Sequence, residues 1–271
     1  MTAACALVIH PTAIIDPRAQ IDASAEIGPY SVIDGPVVIG PRTRVIAQAY
    51  LTGMTTIGAD NVIHPGAALG VEPEDLAFSG QESFLRIGDR NVVREHVQVQ
   101  RGTKPGSATE IGDDNFLMHH AHVAHNCRVG HRVILAAGAT LAGYVEVGDG
   151  VFISGNCVVH QFVRIGRLAL LRGLSRTSRD VPPFCLMDHT HVVRTLNRVG
   201  LRRAGFSAEE MRALQRAFVR LFRTHGNLRT AVAELAAAPQ SSAVEELLAF
   251  IRASTRGVCF GARAGAVEDS D

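Results

Sequence analysis

Stepping by six residues from Ile9, the chain returns an aliphatic side chain almost every time: Ile15, Ile21, Ile27, Ile33, Ile39, Val45 and onward to Leu171. Of 28 positions in this register, 25 are Ile, Leu or Val, and the exceptions are Asp75, Gln81 and Pro105. A second track two residues earlier is mostly small (Ala13, Ala19, Ala25, Ala121, Cys127, Ala139, Cys157, Ala169). Glycine often follows the aliphatic, as at Gly28, Gly58, Gly130 and Gly148. Side chains alternate along a strand, so residues two apart share a face. Each unit of six therefore reads as a short strand with two inward residues, then a turn where glycine relieves backbone strain. One unit cannot bury its own apolar residue, whereas stacked units share a continuous core. An amphipathic helix would need a period of about 3.6 and does not fit.

The expected fold is a β solenoid, a parallel β-helix of hexapeptide repeats. Proteins built on this repeat resemble a triangular prism with three units per coil. That resemblance implies a left-handed wind and about nine coils, stacked roughly 4.8 Å apart. Polar interruptions near 71–86 and 102–110 should loop out from the prism, and ordered loops on a rigid scaffold are where function tends to sit. The register ends after Thr177, and the double proline of Ser178–Phe184 reads as a linker. This gives a β-helix domain over 1–184 and a C-terminal helical domain over 185–260, with the helical pattern setting in from about Val192. Ser207 followed by Glu210 predicts a capping box, and 231–238 and 243–253 predict two further helices. The small, polar segment 261–271 is expected to be disordered.

The formal net charge of +1 supplies no drive toward nucleic acid or an anionic membrane. No run reaches 18 apolar residues, which argues against membrane insertion. The N-terminal residues lack the basic, then apolar, pattern of a signal peptide. Five cysteines (Cys5, Cys127, Cys157, Cys185, Cys259) form no CxxC pair and read as free thiols. The expected location is the cytoplasm. Cys127 and Cys157 fall on the inward track and are expected in the core.

Between 119 and 127 the chain reads HHAHVAHNC, four histidines in seven residues. In a coil of about 18 residues, His125 shares a column with Gly143 and Gln161, Asn126 with Tyr144 and Phe162, and Ala124 with Ala142 and His160. His122 lies on the strand just before this corner, and His119 and His120 belong to the previous corner. An imidazole beside a glycine whose N–H is uncovered suits a general base next to an oxyanion donor, the minimal arrangement for acyl transfer to a hydroxyl.

Several stretches outside the repeat resemble one family, the UDP-N-acetylglucosamine O-acyltransferases of lipid A and lipopolysaccharide biosynthesis. They are AHVAHNC (121–127), ATLAGYVEVGD (139–149), HQF (160–162), DVPPF (180–184), IGDRNVVRE (87–95), RGT (101–103) and STRG (254–257). The resemblance spans nearly the whole chain. It implies a homotrimer with sites between adjacent prisms. It also implies transfer of a 3-hydroxyacyl group from acyl carrier protein to the 3-hydroxyl of UDP-N-acetylglucosamine. No cofactor is implied beyond the donor's phosphopantetheine, and no covalent acyl-enzyme. By the same resemblance His125 is the base and Gly143 the oxyanion donor. His122, His160 and Gln161 line the sugar and acyl region, Asp75 contacts the sugar, Asn197 and Arg203 lie near the nucleotide, and Gly173 limits acyl length.

Tyr144 replaces a usual histidine, Asn126 an aspartate and Glu74 a glutamine beside Asp75. These departures leave room for a diverged paralogue acting on another nucleotide sugar or only binding one. A third reading is a metal hydratase resembling the γ-class carbonic anhydrases, with His96, His120 and His125 as ligands. Arg164, Arg167, Arg172, Arg176 and Arg179 form a candidate basic strip for the acidic carrier protein.

Overall fold

The computed structural model describes residues 8–224 and 226–261. Up to Thr177 the described chain winds through strands of two to four residues that stack into three parallel sheets of nine, nine and eight strands; one nine-stranded sheet gains three more strands in the C-terminal region and becomes the largest, with twelve. Regular coils pair residues 18 apart, as in Glu26 with Arg44 and Phe116 with Ile134. The six-residue track forms the interior: Ile27, Ile63, Leu117, Leu135, Leu141 and Ile153 are at most 1% exposed. Each contributes about 2 kcal/mol by leaving water.

The inward small track also holds a buried polar ladder that the apolar repeat does not announce. The Asn61 amide oxygen accepts the N–H of Asn91 at 2.9 Å. Asn91 repeats this toward Asn115, and Asn115 toward Val133 at 2.7 Å. Amide side chains stacked one coil apart thus satisfy backbone groups at a tight corner.

Both interruptions leave the prism on the same side. Val62 pairs with Val92 and Val92 with Phe116, so the coils stay in phase while the extra residues bulge outward. The excursions are shorter than the sequence suggests, because Ala68–Val71, Phe84–Ile87 and Ala108–Ile111 remain strands. They also lock together: Gly106 N–H donates to Glu82 O, and the Gln81 side chain donates to Thr103 O.

The segment 178–184 is not a free linker. Asp180, Val181, Pro182, Pro183 and Phe184 are all buried, and Val181 bridges Ile165. Pro183 closes over Gly166, where an added Cβ would fall 2.4 Å from the proline nitrogen. The two prolines and Phe184 thereby cap the open end of the core. Nor does the C-terminal region begin as helix. Cys185–Asp188 extends the largest sheet beside Leu170–Leu171, and Val192–Leu196 pairs antiparallel with it. Period-two burial of Cys185, Met187 and Val193 carries this pairing.

Four helices follow among the described residues: α1 (Arg198–Arg203), α2 (Ala208–Phe222), α3 (Leu228–Ala236) and α4 (Ser242–Arg252). The expected capping box is present, with Ser207 Oγ accepting the Glu210 N–H and the Glu210 carboxylate accepting the Ser207 N–H. Phe260–Gly261 returns to pair with Val192–Val193, so Gly261 belongs to a strand. Residues 262–271 and Cys5 lie outside the described residues.

Candidate active site

The corner between the nine- and eight-stranded sheets carries Asn126, Tyr144 and Phe162 one above another, with φ of 59°, 61° and 63°. This left-handed conformation is cheap for Asn but costs an aromatic residue roughly 1 kcal/mol. One residue earlier in each coil stand His125, Gly143 and Gln161, the column expected from the spacing. The His125 ring lies flat against Gly143: a Cβ added there would sit 2.5 Å from His125 Cε1 and 2.6 Å from Nε2. Only glycine lets the imidazole occupy this place.

The hydrogen bonds fix the state of the ring. Thr103 N–H donates to Asn126 Oδ1 at 2.9 Å, so the amide oxygen faces inward. His125 Nδ1 lies 3.1 Å from the same oxygen and must be the donor. In the neutral ring Nε2 then carries the free lone pair. Nε2 points toward Asp75 Oδ2, 3.6 Å away, delivered by the first excursion. His125 is only 8% exposed and its backbone N–H is held by Gln100 Oε1 at 3.2 Å. Tyr144 packs edge-on against the imidazole at 5.3 Å and stacks on Phe162 at 4.8 Å.

At the equivalent position of another corner, successive backbone N–H groups from Asp89 to His131 are taken by a side chain one coil on. Asp89 donates to Asp113 Oδ1, Asp113 to His131 Nδ1 and His131 to Asp149 Oδ1. Gly143 N–H has no such acceptor among the described residues. It remains an uncommitted donor beside a basic nitrogen.

His122 joins this site from the strand, with Nδ1 2.9 Å from Gln98 Oε1. Burial pushes its imidazole below the ordinary value, against an upward pull from Glu74, which is itself exposed. His160 and Gln161 are exposed one coil beyond Gly143, and Arg256 approaches His160 Nδ1 at 3.4 Å. Other expected site residues are not gathered here within one chain. Asn197 is buried and fully engaged, accepting the Gly200 N–H at 3.0 Å as the cap of α1 and donating to Leu168 O at 2.9 Å. Arg203 is exposed at the end of α1. Gly173 is exposed on a different corner, in the column of His119, Ala137 and Gly155.

His96 and His120 stack on each other at 5.1 Å and 11°, one corner away from His125. Among the described residues no three His, Cys, Asp or Glu side chains converge as a metal would require. Cys127 and Cys157 are fully buried, as expected of core thiols. The basic strip is largely neutralised: Arg164 pairs with Asp180, Arg167 with Glu246 and Arg172 with Asp188.

The residues that spacing alone misses are Thr103, Gln98 and Gln100. Their alignment with the histidine corner depends on how many residues the second excursion removes from the coil, which the repeat does not reveal.

A hexapeptide β-helix with an imidazole acceptor and a spare amide at one corner defines an acyl-transferring member of the hexapeptide-repeat class. The bacterial transferase hexapeptide model matches residues 108–143, and the model for domain 2 of UDP-N-acetylglucosamine O-acyltransferase matches residues 180–259. The acyl-[acyl-carrier-protein]–UDP-N-acetylglucosamine O-acyltransferase of Synechocystis is 44% identical over 91% of this chain and 90% of its own length. That of Verminephrobacter eiseniae is 45% identical over 92% and 98%. Among solved structures, the UDP-N-acetylglucosamine acyltransferase of Francisella novicida superposes with a TM-score of 0.89 at 31% identity, covering 97% of this chain and 100% of that one. The Arabidopsis enzyme gives 0.85 at 34%, covering 93% and 100%. The chain belongs to the UDP-N-acetylglucosamine O-acyltransferase family.

Proposed function

We propose that the protein transfers a 3-hydroxyacyl group from acyl carrier protein to the 3-hydroxyl of UDP-N-acetylglucosamine, the first step of lipid A biosynthesis, in the cytoplasm. The juxtaposition of His125 Nε2 with the Gly143 amide is the observation that carries this reading. Nε2 takes the proton of the sugar hydroxyl as its oxygen forms a bond to the thioester carbon. The Gly143 N–H stabilises the negative charge that gathers on the carbonyl oxygen. Collapse breaks the carbon–sulfur bond, and the imidazolium returns the proton to the leaving thiolate. As positive charge develops on the ring, Asn126 holds Nδ1–H and Asp75 supplies a nearby carboxylate.

The assembly we propose is a homotrimer with sites between chains. Its support is that Gly173, to which the resemblance gives control of acyl length, lies on a different corner from His125 in one prism, so a second copy would have to bring its own Gly173 to the histidine corner. The test is acyl transfer from a panel of 3-hydroxyacyl carrier proteins to UDP-N-acetylglucosamine. Turnover that disappears in His125→Ala is expected, and turnover that survives it would remove the base. Mixing His125→Ala with a Gly173→Met chain should restore turnover of the long-chain donor, which neither variant supports alone, if each site draws on two chains. The diverged-paralogue reading would be favoured by tight nucleotide-sugar binding with no turnover from any donor.

A further inference from the structure

The acidic carrier must meet a cationic surface, and the strip read from the sequence is mostly consumed by internal ion pairs. Unpaired arginines gather instead on the helical region. Arg198 and Arg202 stand four apart on α1, and Arg212 and Arg216 four apart on α2; all four are exposed. None of them has a carboxylate within ion-pair distance among the described residues. Of the acids in the first turn of α2, Glu210 is already taken up by Ser207. Arg198, Arg202 and Arg212 border a cleft of about 350 Å³ whose floor is Leu196, Ala208 and Met211. Like charges at i, i+4 repel by a few tenths of a kcal/mol per pair, so the arrangement is a cost unless something anionic occupies it.

We propose that this cleft between α1 and α2 is the docking surface for the acyl carrier protein. This rests on the acyl-transfer function proposed above. The occupant it fits is an acidic helix. Carboxylates four residues apart on such a helix would match the arginine spacing along α1 and α2, and guanidinium groups bind carboxylates in paired hydrogen bonds. The apolar floor receives the helix's own aliphatic residues. Asn197, at the base of α1, bonds to Leu168 in the coil that begins with Gln161, which stands in the column of His125 and Gly143.

The experiment compares the wild type with Arg202→Glu/Arg212→Glu in the full chain. The readouts are binding of fluorescently labelled acyl carrier protein, KM for the acyl carrier donor, and turnover of an acyl-phosphopantetheine that lacks the protein. The double variant is expected to raise Kd and KM for the carrier at least tenfold and to flatten their salt dependence, since rim charges act through electrostatic attraction. Turnover of the small donor and KM for UDP-N-acetylglucosamine should stay within twofold. Arg229→Glu, which lines a separate cleft of the helical region, should change nothing. Unchanged carrier binding in the double variant would overturn the proposal. A rise in KM for the nucleotide sugar alone would assign the cleft to the acceptor and would also overturn it. Carrier binding lost with the variant while the wild type shows no turnover would keep the docking surface and remove the proposed reaction.

Discussion

Replacing Gly143 by Ala tests the site at its tightest contact. The added methyl would lie 2.5 Å from His125 Cε1 and 2.6 Å from Nε2. Ordinary contact begins at about 3.4 Å, so the ring must retreat by roughly 1 Å. Gly143 does not have a positive φ, so alanine meets no backbone obstacle and the strain falls on the imidazole. A displacement of this size at a reacting group costs on the order of 10²-fold in rate. Overpacking of the corner should cost about 1–3 kcal/mol of stability. The expected result is a folded protein with kcat reduced about 100-fold and KM for the nucleotide sugar little changed. The assay is steady-state acyl transfer alongside thermal unfolding of the same preparation. A Gly143→Ala protein with kcat within threefold of wild type would show that the ring need not lie against this amide. The oxyanion assignment would then fall.

Asn126 sits at φ 59°, where glycine is at least as comfortable, so Asn126→Gly keeps the turn but frees the imidazole; kcat should fall roughly 10- to 100-fold, with Asn126→Asp retaining activity because a carboxylate also accepts from Nδ1–H. Equal kcat in wild type and Asn126→Gly would reduce Asn126 to a turn residue. Burial raises the thiols of Cys127 and Cys259 to about 12 and pushes Cys157 and Cys185 up as well. None of these four should react with an aromatic disulfide reagent near neutral pH until denaturant is added, and fast native labelling of any would contradict the buried placement. His122 prefers its neutral form in the folded chain, because burial lowers it from 6.5. Below that pH the unfolded chain takes up a proton that the folded chain resists, so this contribution is present above 6.5 and lost as pH falls toward the lowered folded value. Denaturant unfolding at pH 7.5 and 5.5 should show a smaller loss of stability in His122→Gln than in wild type.

The six-residue period determines the β-helix, because burial of one aliphatic per strand has no other economical solution. Simple counting by 18 also places His125 beside Gly143, since two regular coils separate His125 from Gln161 with no insertion between them. The capping box at Ser207 is equally local and is read directly. What the spacing does not give is everything that depends on contacts across different coils or across the end of the prism. The Asp75 approach to His125 requires the first excursion to fold back over the corner, and the Thr103 grip on Asn126 requires the second. The arginine strip appears continuous in sequence, yet Asp180, Glu246 and Asp188 reach it only after the chain has folded over the open end. Segment 178–196 looked like linker and helix because proline and polar residues suggest a break, whereas buried apolar residues with period two made it a cap and an added strand pair. A periodic sequence fixes which residues face inward because that choice is local to each coil; partners for outward and corner residues come from distant segments, and only the tertiary structure brings those together.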